Sequence, residues 1–207
     1  MIRVVTSRDS GVFSMELNEM FRARAAVFGG RMGWAVDIDG EGREVDDFDR
    51  LHDPAYLLAI GDDGAVRGSL RLLPTAGPTM LRSCFAGMFD GDIDVTSGTV
   101  WECTRFCVHP IVATAPAARK VSSELLLGIC ELGLSVGLTQ VTGVYEHHME
   151  RIYRRIGWSP NRLASNRDGT IHIGLWDVDR SALDKMRARS GIRAPVLDEG
   201  YPFAVAV

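Results

Sequence analysis

Apolar and polar positions follow several rhythms along this chain, and each predicts an element. Residues 2–6, IRVVT, read as a short strand. Between Ser14 and Phe28 the apolar residues Met15, Leu17, Met20, Phe21, Ala25 and Phe28 recur at approximately helical spacing, which predicts an amphipathic helix. Residues 29–54 lose that periodicity and are rich in glycine and acid, so a loop is expected. Tyr56–Ile60 and Ala65–Leu73 flank GDDG and predict a hairpin. Thr99–Val108 reads as a further strand ending at His109-Pro110. The clearest helix is Pro116–Val136, with Val121, Leu125, Ile129, Leu132 and Val136 along one face. Thr114 is its candidate cap, and Pro116 sits in the first turn, where a missing N–H costs little. A strand at Gln140–Tyr145, a short helix at Met149–Ile156, a strand at Thr170–Asp177 and a helix at Ser181–Arg189 complete the pattern.

This order predicts an α/β fold, a three-layer α-β-α sandwich around a mixed, mostly antiparallel sheet. No G-x-G-x-x-G follows a strand, which excludes a doubly wound dinucleotide fold. With 207 residues, 46% of them hydrophobic, a single domain over 1–207 is expected. Its two parts are a helix and loop at 1–54 and the sheet-bearing 55–207. No apolar run is long enough to span a bilayer, and MIRVVTSRDS lacks the pattern of a signal peptide. A cytoplasmic protein with no membrane partner is therefore expected. Cys84, Cys103, Cys107 and Cys130 do not make a disulfide framework and read as reduced thiols. Cys103 and Cys107 lack a second pair at zinc-site spacing, and His147-His148 lacks further ligands in sequence, so no metal is assigned. A net charge of -4 argues against nucleic-acid binding.

Charge placement carries the chemistry. Arg24, Arg71 and Arg105 accompany Glu44, Asp46, Asp49 and Glu102, and Arg71 and Arg105 fall within otherwise apolar strands. Strict alternation would put Trp101, Cys103 and Arg105 on one face, and Glu102, Thr104 and Phe106 on the other. A buried charge needs a partner. Glu44, Asp46, Asp49 and Arg71 therefore read as an ion network holding the loop to the sheet, as part of a binding pocket, or as both.

Three blocks, Arg24-x-x-x-Phe28 with Trp34, Glu44-x-Asp46-x-x-Asp49 with Arg71, and Glu102-x-x-Arg105-Phe106, resemble the autoinducer synthase family, the acyl-homoserine lactone synthases. The likeness runs in order from about Arg22 to Trp158, including RRIGW at Arg154–Trp158. The element order also resembles the GNAT acyltransferase fold, built around a strand and long helix. Its acetyl-CoA signature, a Gly-x-Gly turn, is replaced by ATAPAAR at Ala113–Arg119. The family pattern is departed from by one extra residue between Trp34 and Glu44, which bears on loop shape. Cys103 is also less usual after the glutamate.

The resemblance implies transfer of an acyl group from a thioester to the amine of S-adenosylmethionine (SAM), then lactonisation with release of methylthioadenosine. Both reactants are substrates, and no cofactor is implied. An α-amine with a pKa of roughly 7.7–8.0 needs only a modest base, for which Glu102 is the candidate, directly or through water. Backbone N–H groups near Phe106 or Cys107 are the expected oxyanion donors. Arg24 is expected to clamp the SAM carboxylate, with Arg105 as a further catalytic group. Phe28, Trp34 and Phe106 complete the SAM contacts, where aromatic faces suit the sulfonium or stack on adenine, with core packing as the competing reading for Phe28. Cys103, Phe106, Gly143, Tyr145 and Met149 are placed near the acyl chain, with core packing as the competing reading for each. Gly143 offers no hydroxyl, which argues against a 3-oxo chain. The donor is acyl-carrier protein or acyl-CoA, and Arg119, Lys120, Arg151, Arg154 and Arg155 form a candidate basic patch near two helix starts. The alternatives are a GNAT-type N-acetyltransferase using acetyl-CoA and a non-catalytic ligand-binding regulator. The sequence leaves chain length and oligomeric state open.

Overall fold

A computed structural model of the chain describes residues 1–91 and 93–198. The strands are β1 (Ile2–Val5), β2 (Ala55–Ile60), β3 (Val66–Pro74), β4 (Val100–Val108), β5 (Gln140–Glu146), β6 (Asn161–Ser165) and β7 (Ile171–Asp177). They form a seven-stranded sheet in the order β1-β2-β3-β4-β5-β7-β6. The β4–β5 pair is parallel, while β1–β2, β5–β7 and β6–β7 are antiparallel. The helices are α1 (Ser14–Arg24), α2 (Asp47–Leu51), α3 (Met80–Ser83), α4 (Ala115–Val136), α5 (Glu150–Ile156) and α6 (Arg180–Ser190). The expected α/β fold with a mixed sheet is what the chain adopts. The parallel pair requires a crossover, and α4 provides it.

Backbone contacts divide the chain into two compact units. The first holds Met1–Arg71, Arg105–Gly128 and the segment from Val196, and the second holds Leu72–Thr104 and Ile129–Pro195. This grouping differs from a division at residue 54, because β1 and β2 pair along their lengths and draw the hairpin to the N-terminal segment.

In the first unit, Leu17 and Met20 of α1 pack with Val5, Phe13, Tyr56, Leu58, Ile60 and Val66. Met15, expected on that face, is 82% exposed. The helical segment does not end at Arg24. It widens into a π-helix over Ala25–Arg31, with the Met32 N–H bonded to the Val27 carbonyl at 2.9 Å. A π-turn is uncommon and frequently marks a functional site. The N-terminus of α4 is closed as expected, by the Ala117 N–H on Thr114 Oγ1 at 3.3 Å.

In the second unit, Leu81, Phe89 and Ile173 make one apolar cluster. Tyr145, Tyr153, Trp158 and Trp176 make an aromatic one, with Tyr153 and Trp176 ring centres 5.0 Å apart. Gly174 permits this packing. A Cβ there would come within 2.8 Å of both Trp176 and Tyr145. The strand β6 and helices α2 and α3 were not anticipated from the pattern. Each is short, and β6 is mostly exposed, so none carries a sustained apolar period.

His109, at the end of β4, is buried with Ser69 Oγ 2.9 Å from Nε2 and the Val66 carbonyl 3.1 Å from Nδ1. Burial lowers its pKa from 6.5 to about 4. The folded protein therefore keeps His109 neutral through a range in which the unfolded chain takes up a proton. Stability from this group is complete above about pH 6.5 and is lost as the pH falls toward 4. The loss is expected to reach roughly 3 kcal/mol. Urea unfolding at pH 7 and pH 4.5 checks this. His109→Gln should show a flatter pH dependence than the parent.

Candidate functional site

The loop at 29–54 is ordered by charge rather than by apolar packing. Asp39 accepts the N–H groups of Glu41 and Arg43 at 2.9 and 3.0 Å and so turns the chain. The Glu44 N–H donates to the Phe21 carbonyl at 3.0 Å, tying the returning chain to α1. Asp46 and Asp49 then cap α2 reciprocally, with Asp49 Oδ2 accepting the Asp46 N–H at 3.0 Å and Asp46 Oδ1 accepting the Asp49 N–H at 3.2 Å.

The same carboxylates meet the arginines. Arg24 donates from Nε to Glu44 at 2.5 Å and from both terminal nitrogens to Asp49 at 3.1 and 2.9 Å. Arg71 takes both oxygens of Asp46 at 2.5 and 2.9 Å and lies 2.8 Å from Asp49. Arg105 donates to Glu44 and Asp46, each at 3.0 Å. The Tyr56 hydroxyl donates to Asp49 at 2.7 Å, a contact absent from the sequence expectations. Its charged partners were readable as a group, but a tyrosine in a strand carries no separate signal.

Electrostatics follow this geometry. Burial opposes the charge on Arg24, but the carboxylates of Asp49 and Glu44 outweigh it and hold its pKa above the ordinary value. Burial would raise Asp49, yet Arg24 and Arg71 hold its carboxyl well below the usual range. Burial and the Asp49 charge push the Tyr56 phenol up. Arg24 and Asp49 therefore keep fixed charges at neutral pH, and the Tyr56 phenol stays protonated.

Arg24, expected to clamp a ligand carboxylate, points into the ion network. Its side chain is 1% exposed, and its bidentate partner is Asp49. Arg105 and Asp46, at 11% and 14%, form the side of the network that reaches solvent. Phe28 is also buried, packed with Val27, Cys107 and Val36. Trp34 stacks on it at 5.2 Å with the rings 14° apart, and the Arg105 guanidinium lies 5.6 Å from the Phe28 ring centre. Trp34 itself is 43% exposed. Phe28 is thus the backing of the stack, and Trp34 presents the open aromatic surface.

Strict alternation along β4 also fails. Arg105 has φ +53°, the one left-handed non-glycine residue among those described. The pleat is broken there, so Trp101, Cys103 and Arg105 do not form one continuous face. The register of β4 with β5 covers Val100–Glu102 against Gln140–Thr142.

Within the second unit, Glu102 is fully buried. Its carboxylate accepts the N–H of Met80 at 2.8 Å and of Leu81 at 2.7 Å, at the start of α3. These two backbone donors fix its orientation. Beside it, burial, with the Glu102 charge adding, pushes the Cys103 thiol up to about 12. That thiol stays protonated and is no nucleophile.

Gly143 stands opposite Gly174 in register, and Tyr145 opposite His172. A Cβ at Gly143 would lie 3.1 Å from the Cys103 carbonyl and 3.7 Å from Trp176. The structure therefore brings Cys103, Gly143 and Tyr145 onto the aromatic cluster of Tyr153 and Trp176. Those aromatics were missing from the expected site because their spacing resembles ordinary core. Met149 ends the short turn before α5 and is half-buried, as is Phe106 on β4.

Arg151, Arg154, Arg155 and Arg189 line an open hollow of about 430 Å³. Arg154 and Arg155 occupy the last turn of α5, not a helix start, and Arg189 comes from α6. Arg119 and Lys120 are exposed at the start of α4.

Residues 10–186 match the autoinducer synthase family. The chain is 44% identical over 209 residues to an acyl-homoserine-lactone synthase of Rhizobium etli, covering 100% of this chain and 97% of that one. A solved CoA-dependent acyl-homoserine lactone synthase, MesI, superposes with a TM-score of 0.83 at 29% identity, over 97% of this chain and 100% of the other. The structure of a putative N-acetyltransferase from Lactobacillus plantarum shares the fold alone, with a TM-score of 0.53 at 17% identity over 86% of this chain and 99% of its own. The acetyltransferase alternative therefore yields. The chain belongs to the autoinducer synthase family, as an acyltransferase of the acyl-homoserine-lactone synthase class.

Proposed function

We propose that this chain joins an acyl group, delivered as a thioester, to the α-amine of SAM and then closes the homoserine lactone ring. The amine attacks the thioester carbonyl, the thiol leaves, and the amine proton passes to a base. The SAM carboxylate then attacks its own γ-carbon, and methylthioadenosine departs as a neutral thioether. Atoms and charge balance with these two substrates, so no cofactor is assigned.

The observation that carries the SAM side is the exposed Trp34 ring, stacked on a buried Phe28 beside a charge network. A cationic sulfonium or an adenine ring suits such an aromatic face. Arg105 replaces Arg24 as the proposed carboxylate partner, being the arginine of the network nearest solvent. Arg24, Glu44, Asp46, Asp49 and Arg71 then act as positioning residues. Glu102 is the proposed base, directly or through water, since two peptide N–H groups fix its carboxylate in the sheet. The left-handed backbone at Arg105 turns the following peptide out of strand register, which supports Phe106 and Cys107 N–H groups as oxyanion donors.

Cys103, Gly143, Tyr145 and Met149 are assigned to the acyl chain. A CoA thioester is the preferred donor. MesI, 29% identical, is described as CoA-dependent, and the arginine-lined hollow suits phosphate groups. An acyl-carrier protein would suit the same charges. No helix among the described residues is long and apolar enough to cross a membrane. Free cysteines fit a cytoplasmic setting.

The deciding experiment is mass spectrometry of extracts from a host that makes no lactone, expressing the parent or Glu102→Gln. The parent should yield an acyl-homoserine lactone without a dominant 3-oxo chain. The variant should lose at least about a hundredfold in kcat, the scale of general-base catalysis. Equal product from both would remove Glu102 from the chemistry.

Trp34→Ala and Asp49→Asn separate ligand contact from scaffold. Trp34→Ala is expected to raise KM for SAM roughly tenfold, as a cation–π contact implies, with Tm unchanged. Asp49→Asn leaves Arg24 and Arg71 undercompensated and should cost about 3–5 kcal/mol in urea unfolding.

A further inference from the structure

Three ligand-type side chains outside the proposed chemistry converge in the second unit. His147, Glu150 and His172 each offer one donor atom, and these atoms lie within 4.8 Å of one another. His147 and Glu150 come from the turn that leads β5 into α5, while His172 comes from β7 opposite Tyr145. His147 Nδ1 lies 3.1 Å from His172 Nε2. On the far side of the His172 ring, Ser165 Oγ lies 2.8 Å from Nδ1. With the Nδ1 proton donated to Ser165, the Nε2 lone pair points toward His147. The Glu150 carboxylate is held from outside by Arg162 at 2.5 Å and by the Tyr145 hydroxyl at 3.3 Å. His172 is buried and His147 exposed, so the cluster has one closed side and one open to solvent.

We propose that His147, Glu150 and His172 form a binding site for a divalent transition-metal ion of the zinc class. Two imidazoles and a carboxylate suit a borderline cation, whereas magnesium and calcium prefer oxygen sets. Zinc–nitrogen bonds of about 2.0–2.1 Å in a tetrahedron place donors roughly 3.3 Å apart. The two histidines already stand near that separation, and Glu150 closes the rest by side-chain rotation. Water takes the fourth position from the open side. Ser165 and Tyr145 serve as the outer partners that orient a histidine and a carboxylate ligand. Arg162 opposes the ion by like charge, so the site is weaker than a closed structural zinc site. The bound ion ties the turn carrying Met149 to β7.

The test uses the full chain carrying Cys84→Ser, which removes the exposed thiol, stripped of metal by chelation. Zinc is titrated by calorimetry and cobalt by absorption. The expected result is one saturable site whose cobalt spectrum shows d–d bands without thiolate charge transfer. His147→Ala and Glu150→Gln should each weaken zinc at least tenfold. His147 is exposed, so its metal-free Tm should match the parent. His148→Ala, an exposed neighbour paired with Glu146, should bind as the parent does. The absence of a saturable site in the parent would overturn the proposal. So would unchanged affinity in both ligand variants, or equal competition by magnesium.

Discussion

Three arginines and three carboxylates, buried together in the first unit, set the conditions under which the N-terminal region is ordered. Arg24, Arg71 and Arg105 face Glu44, Asp46 and Asp49, so the cluster is neutral as a whole. Burying these charges costs several kcal/mol each unless every one is matched. The matching is shared. Asp49 serves Arg24, Arg71, Tyr56 and the cap of α2, and Asp46 serves Arg71, Arg105 and the same cap. No pair can be removed without stranding another group. The loop of 29–54 thus owes its path to partners in α1, β3 and β4, and its own apolar content contributes little.

That dependence separates two kinds of acid. Asp49 is held ionised by the guanidinium groups around it, and moving a proton to it would break the network. Glu102 is oriented instead by two peptide N–H groups of α3. Its setting therefore does not depend on the balance among the arginines. The left-handed residue at Arg105 gives β4 a second property. It sends the Arg105 side chain to Glu44 and Asp46. Backbone in this region costs a non-glycine residue of order 1 kcal/mol or more, and the contacts of Arg105 to Glu44 and Asp46 hold it there.

The fold and the charged residues were largely legible in the sequence, for different reasons. Long elements such as α4 and β4 declare themselves by period, and their observed ends lie within a residue of those expected. Charges inside apolar strands announce that partners must exist, though not which. Sequence therefore grouped Arg24 with the carboxylates, but spacing cannot show that Asp49 occupies its fork. Alternation failed at Arg105, where a tertiary contact overrides the strand's period. The aromatic cluster, Arg189 and the Glu150–His172 convergence were illegible because their members are brought together across strands and helices distant in sequence.

Burial reverses the roles of two neighbouring aromatics. Phe28, delivered by the π-turn, is packed against Val27 and Cys107, and it provides a flat surface on which Trp34 rests. Trp34 follows Gly33, whose φ of +67° ends the helical path and turns the chain. The Trp34 N–H donates to the Phe28 carbonyl at 2.8 Å, so the stack is fixed by backbone as well as by rings. A large exposed aromatic on a loop would ordinarily lose affinity to its own freedom. Here the rotamer is restricted before any ligand arrives, which lowers the entropy lost on binding. The same economy holds for Arg105, whose guanidinium is fixed by carboxylates on one side of the stack. The aromatic surface is therefore set by packing and backbone and the Arg105 guanidinium by the ion network, so the geometry of the proposed SAM site is decided in large part by residues that need not touch SAM.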